Sequence, residues 1–232
     1  MSVSRAIPAM FLVLLAACGG QVDAAPRRSA GAPLASALAA PAAPATREFR
    51  AGRINEARAL LEGSLAKDPD GLGALNDLAV TYAAEERFDA ARQLFEEALA
   101  RGGPVEQQMA LVNLGELYAL EGYLSAALAH LASARAIDPG RPEPSYALAL
   151  LADARGDRAG AAAALAAALA SDPGGAARKD LVFLYAEERL HLEALVADAT
   201  GDAPLANARF RELARGRFPA LAQAAQRRLE EP

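Results

Sequence analysis

Apolar residues along most of this chain fall three or four positions apart, the spacing of a helix with one buried stripe. The clearest case is residues 111–139. Leu111, Leu114 and Tyr118 form one run, and Leu124, Ala127, Leu131 and Ala134 form a second. Gly122 lies between the runs, where a tight turn needs a backbone free of a Cβ. Asp138-Pro139 closes the second run, because proline biases its predecessor out of the helical region. The pattern predicts a helical hairpin whose two stripes are too narrow to form a core alone, so it must stack on similar neighbours.

Those neighbours are visible as a phase-locked repeat. Gly115, Ala127, Leu131, Ala134 and Pro139 recur 34 positions later as Ala149, Ala161, Leu165, Ala168 and Pro173. Upstream, Ala79, Tyr82, Ala91, Phe95 and Ala98 occupy the equivalent places, and Ala57, Leu61 and Ser64 precede them in the same phase. Small residues at the helix crossings, a period near 34 and a closing proline resemble the tetratricopeptide repeat. The departure is at the first-helix position that family often fills with tryptophan, which here holds Leu75, Leu111 and Ser145. The resemblance implies an all-α fold, a right-handed superhelical solenoid of helix-turn-helix repeats. Its expected units are a partial repeat at 46–69, repeats at 70–104, 105–139, 140–173 and 174–215, and a capping helix within 216–232. The last repeat is out of phase, since 194–202 copies 149–157 at a distance of 45 rather than 34. One long helix over 176–199 accounts for the difference. A rival register, in which Leu181 and Tyr185 echo Leu78 and Tyr82, breaks the segment into two helices near Leu190.

The N-terminal fifth of the chain has a different pattern. Arg5 precedes an apolar run at 6–17, too short to span a bilayer and of the length of a signal-peptide core. It ends Leu15-Ala16-Ala17-Cys18-Gly19, which resembles the lipobox of bacterial lipoproteins. That resemblance implies a signal peptide at 1–17, cleavage before Cys18, and lipidation of Cys18. With Gly19 in place of an aspartate it further implies the outer membrane, with the folded part in the periplasm. Residues 18–45 are rich in alanine and carry Pro26, Pro33, Pro41 and Pro44. They read as a disordered tether, with Leu34 and Leu38 as incidental apolar residues.

Composition narrows the function. The net charge is −5 with no block of like charge, which disfavours nucleic acid as a partner. With a single cysteine no intramolecular disulfide forms. His130 and His191 lie on different repeats without metal-ligand spacing, and each reads as a surface or packing histidine. The adjacent pairs Glu85-Glu86 and Glu187-Glu188 point in different directions on their helices and read as solvated helix ends. No catalytic set, cofactor motif or metal site emerges, and a non-enzymatic protein is expected.

What remains is a surface. In the family, the first helices of successive repeats line a groove. Aligned on Ala79, Gly115 and Ala149, the expected groove residues are Asn76, Val80, Met109, Asn113, Glu116 and Leu120, followed by Glu143, Tyr146, Leu150 and Asp153. An apolar set with Asn, Glu and Asp and no basic residue suits an apolar or amphipathic protein segment. Asn113 and Tyr146 stand out as residues expected to serve binding rather than folding. Lipobox, tether and solenoid in that order are similar to the pilotin lipoproteins of type IV pilus assembly, which implies a scaffold acting on an envelope protein such as a secretin. An adaptor that recruits a cell-wall hydrolase is the alternative.

Overall fold

A computed structural model describes residues 36–40 and 43–230. Cys18, the expected signal peptide and most of the expected tether lie outside them. Among the described residues there are twelve helices, and they form an all-α solenoid of stacked pairs. The pairs are α1 (Pro44–Arg50) with α2 (Ile54–Lys67), α3 (Leu72–Ala84) with α4 (Phe88–Arg101), α5 (Pro104–Leu120) with α6 (Leu124–Ile137), and α7 (Glu143–Ala154) with α8 (Arg158–Ser171). A short α9 (Ala176–Asp180) precedes the last pair, α10 (Ala186–Ala199) with α11 (Ala203–Leu213), and α12 (Pro219–Glu230) ends the fold.

The turn inside each pair is the same object five times over. One residue in it has positive φ: Gly52 (76°), Glu86 (58°), Gly122 (85°), Gly156 (85°) and Gly201 (83°). The next residue donates its N–H back five positions, as in Tyr123 to the Tyr118 carbonyl (2.8 Å) and Asp202 to that of Ala197 (2.8 Å). This satisfies carbonyls that the end of a helix leaves unpaired. Asp157 and Asp202 then cap the following helix by accepting from the Gly160 and Leu205 amides.

Within a pair, small residues set the distance. Ala79, Ala91, Ala127, Ala134, Ala149 and Ala168 are each 0% exposed. A Cβ built on Gly115 would stand 2.8 Å from the Leu131 Cδ2 and Cγ atoms. Only a hydrogen fits there, so the α5–α6 crossing depends on this glycine. Pairs also stack on one another through α2 and α3, α4 and α5, and α6 and α7. The first helices α3, α5 and α7 therefore lie side by side and make the inner face.

Two departures from the sequence reading occur together. Residues 176–199 are neither one helix nor two helices broken near Leu190. Helix α9 stops at Asp180, residues 181–185 are non-helical with extended backbone at Leu181 and Tyr185, and α10 starts at Ala186. The run Leu-Val-Phe-Leu-Tyr at 181–185 is made of residues that favour extended backbone. Tyr185 closes it as the N-cap of α10, in a capping box with Glu188. Opposite this stretch, residues 36–40, expected in a disordered tether, are an ordered strand-like segment that makes a single isolated antiparallel bridge, from Ser36 to Val182. Ser36 and Val182 exchange both main-chain hydrogen bonds (3.0 and 3.1 Å). Leu38, read as incidental, is 8% exposed and packs in a cluster with Ala79, Val80 and Val182. The last helix, expected as a cap, also reaches back into the array. Arg228 bonds the Asp153 carboxylate of α7 and Asp198 of α10.

The crossing geometry yields a direct test. Gly115→Leu should lower stability by about 1–3 kcal/mol, the usual cost of overpacking. Ala159→Leu, on the exposed side of α8, should change it by less than about 0.5 kcal/mol. Thermal melts of the two variants check this, and equal losses would refute the assignment of the crossing.

Candidate functional site

The inner face is organised around the main chain of residues 36–40. Asn113, from the middle of α5, accepts the Ala37 N–H at Oδ1 (2.8 Å) and donates Nδ2 to the Ala37 carbonyl (2.9 Å). Asn76, from α3, donates Nδ2 to the same carbonyl (3.1 Å). The two carboxamides are joined, since Asn113 Nδ2 also donates to Asn76 Oδ1 (2.8 Å). Asp77 continues the line, accepting from the Ala39 (2.8 Å) and Ala40 (3.4 Å) amides. A carboxamide can donate and accept at once, so a pair of them reads an extended backbone without regard to its side chains. Burial pushes the Asp77 carboxyl above its ordinary range, opposed by the Ala39 amide, Asn76 and the Ala40 amide.

Beyond Asn113 the strand meets a pair of acids. The Ser36 hydroxyl donates to Glu116 Oε2. Glu116 and Glu188 are 1% and 0% exposed. Burial pushes both carboxyls well above the ordinary carboxylate value. Glu188 raises Glu116 further by charge, while the Tyr185 and Leu184 amides and Arg217 partly offset the rise at Glu188 and Glu187 adds to it. Glu187-Glu188 is therefore not a solvated helix end: Glu188 is a buried cap whose carboxyl also accepts the Tyr185 amide (3.2 Å).

The expected groove residues divide into two groups. Asn76, Asn113 and Glu116 bond the strand directly, with Val80 and Leu120 buried in the apolar cluster that holds Leu38. Met109 lines a cavity of about 370 Å³ beside Ala37, Leu38 and Ala39, and so does Glu143, which pairs with Arg141 (2.8 Å). Tyr146, Leu150 and Asp153 are not on an open groove. All three are at most 2% exposed. The Tyr146 hydroxyl donates to Asp172 (3.1 Å), and burial first, then Asp172, pushes its pKa up to about 12. Asp153 faces His191 Nε2 (2.7 Å) and Arg228 Nη2 (2.6 Å). Burial opposes its ionisation, but these two partners hold its carboxyl below the ordinary value. The physical reason is the arrival of α10 and α12, which pack on α7 and turn its inner face into core. Tyr146 therefore belongs to folding, against its expected role in binding.

Asp77 and Ser36 are site residues that the sequence reading does not find. For Asp77 a signal is present: Asn76-Asp77 are two polar neighbours inside the otherwise apolar helix Leu72–Ala84. Nothing local marks Ser36.

The stacked pairs have counterparts among known proteins. Residues 48–114 match the tetratricopeptide repeat family. The fold is similar to that of a thermophilic tetratricopeptide repeat protein of Thermus thermophilus, at 24% identity and a TM-score of 0.52, over 80% of this chain and 95% of that one. It also aligns with MamA, at 16% identity and a TM-score of 0.46 over 81% and 98%. PilW, a widely conserved type IV pilus biogenesis factor, aligns at 20% identity and a TM-score of 0.35 over 77% and 94%. No curated protein matches the chain. The likeness to the Thermus protein carries the fold, a solenoid of tetratricopeptide-type pairs.

Two outcomes follow. Tyr146→Ala should destabilise by about 3–5 kcal/mol, as large-to-small changes at buried aromatics do, with chemical denaturation as the measurement. The acid pair gives a pH dependence. Folded-state pKa values raised above the unfolded glutamate value of about 4.3 make a contribution that is complete below that value and is lost as pH rises through the raised values. Glu116→Gln removes one ionisation. Its melting temperature should fall less steeply than wild type as pH is raised above about 4.3, and identical slopes would exclude the pair as the cause.

Proposed function

We propose that the protein is a non-enzymatic interaction scaffold of the bacterial envelope, anchored by lipid at Cys18, whose inner channel holds an extended segment of a partner protein. The observation that carries this reading is the clamp of Asn113 and Asn76 on both main-chain groups of a single residue. Buried carboxamides are costly unless paired. Two of them aimed at a backbone mark a place built to hold one. Pairing of an extended peptide with a main-chain edge, as Ser36 pairs here with Val182, is a common mode of protein recognition. The match of residues 48–114 to a repeat family fits a scaffold.

The anchor rests on the lipobox-like sequence at 15–19. It supports an outer-membrane protein with its folded part in the periplasm, joined to Cys18 by the proline- and alanine-rich stretch. A role in pilus or secretin assembly follows from the order of anchor, tether and solenoid, and names the kind of envelope protein to test first.

The test uses a photo-crosslinking residue at Val105, which is 50% exposed and lines the cavity beside the strand. In cells it should give an adduct with one envelope protein, and Cys18→Ser should abolish both that adduct and labelling by fatty acid. The same probe at Leu60, exposed on α2, should not give the adduct. Equal adducts at the two positions, or labelling that persists in Cys18→Ser, would count against the proposal.

A further inference from the structure

We infer that residues 36–40 are a resident ligand of the channel, and that a partner enters by displacing them with an extended segment of the same chemistry, small–leucine–small. The inference deepens the reading of the inner face as a partner-binding site, and rests on it.

The strand is held as a bound peptide is held. Apart from the Ser36 hydroxyl on Glu116, its polar contacts run through the main chain at Ser36, Ala37, Ala39 and Ala40. Its side chains supply little of their own. Ala37 is 4% exposed, in a site with room for a methyl group, and Leu38 is the one large apolar anchor. Apart from a turn in which the Ala43 amide and the Thr46 hydroxyl donate to the Ala40 carbonyl, the contacts come from two repeats and from the distant residue 182. A second segment with a small residue at the Ala37 position and leucine after it would make every one of these bonds. The burial of Ala37 disfavours a charged side chain at that position, which gives the channel its selectivity.

The cavity beside Ala37, Leu38 and Ala39 is bounded by Val105, Met109, Arg141, Glu143 and Asp180, so apolar and charged groups lie next to the main chain that the channel holds. The resident strand has an advantage of its own. It is covalently linked to α1, and a short linker gives an effective concentration in the millimolar range. A free peptide must overcome that, so the intact protein binds weakly and selectively, and weakening the strand opens the channel.

The probe is a capped, fluorescent ten-residue peptide with the sequence of residues 33–42, titrated into the full folded chain. Ala37→Glu places a charge in a buried site and evicts the strand. The peptide should bind this variant at least ten-fold more tightly than wild type, and adding Asn113→Ala should return it to the wild-type level. If Ala37→Glu fails to fold, Leu38→Ser removes the main apolar anchor without burying a charge and should give the same order. Equal affinity for wild type and variant, absence of binding to a folded variant, or binding that survives Asn113→Ala would each overturn the inference. Sedimentation should show wild-type monomers. A dimer that dissociates on Leu38→Ser would mean that a second copy supplies the strand, and would also overturn it. A Val105 adduct without peptide binding defeats this inference alone, and peptide binding without an adduct defeats the scaffold reading alone.

Discussion

Close approach between paired helices is the constraint on which the rest of this structure depends. The core is built largely from alanine and leucine, so its packing energy comes from many short contacts rather than from a few large side chains. Such contacts exist only if the backbones come near, and Gly115 against Leu131 is a place where they do. Each pair repeats the arrangement because none can cover its own stripe. The regular turn, with one left-handed residue and one N–H returned five positions, delivers every second helix at the angle that the crossing needs. Glu86 holds that position in the second pair without a glycine's freedom, a sign that stacking outweighs the local cost of a left-handed side chain.

The repeat's own regularity explains where it breaks. Once α7 must meet a fifth pair, an insertion is needed to bring α10 across. The inserted residues 181–185 form no helix but a non-helical stretch with one antiparallel bridge at Val182. An edge inside a solenoid has unpaired main-chain groups, and these have to be met. Residues 36–40 meet them from one side, while Asn76, Asn113 and Asp77 meet the other groups of that strand. The acid pair of Glu116 and Glu188 is tolerated at this junction because the Ser36 hydroxyl and the α10 capping box supply donors.

The repeats are legible in the sequence because small residues and prolines recur in phase. Asn76, Asn113 and Glu116 can be placed on the inner face by the same phase. What covers that face is not legible. An alanine-rich strand has no periodicity of its own, and Ser36-Ala37-Leu38-Ala39-Ala40 looks like linker until a partner 76 residues away bonds its backbone. The run at 181–185 misleads for a related reason: a short apolar stretch reads equally as buried helix or buried strand. Tyr146 and Asp153 sit at groove positions by phase, but α10 and α12 arrive from outside the repeat and bury them.

The pairing of Ser36 with Val182 has a consequence for how the chain folds. A repeat array is normally one-dimensional: each unit touches its neighbours, contacts are local, and the ends fray independently. Here a residue before the first helix is bonded to one in the last repeat, and Arg228 near the C-terminus returns to Asp153 in α7. These links turn an open stack into a closed circuit. They raise the mean sequence separation of contacts, which slows the final step of folding. They also couple the first and last units, so that loosening either end is felt at the other and the array melts as a single body.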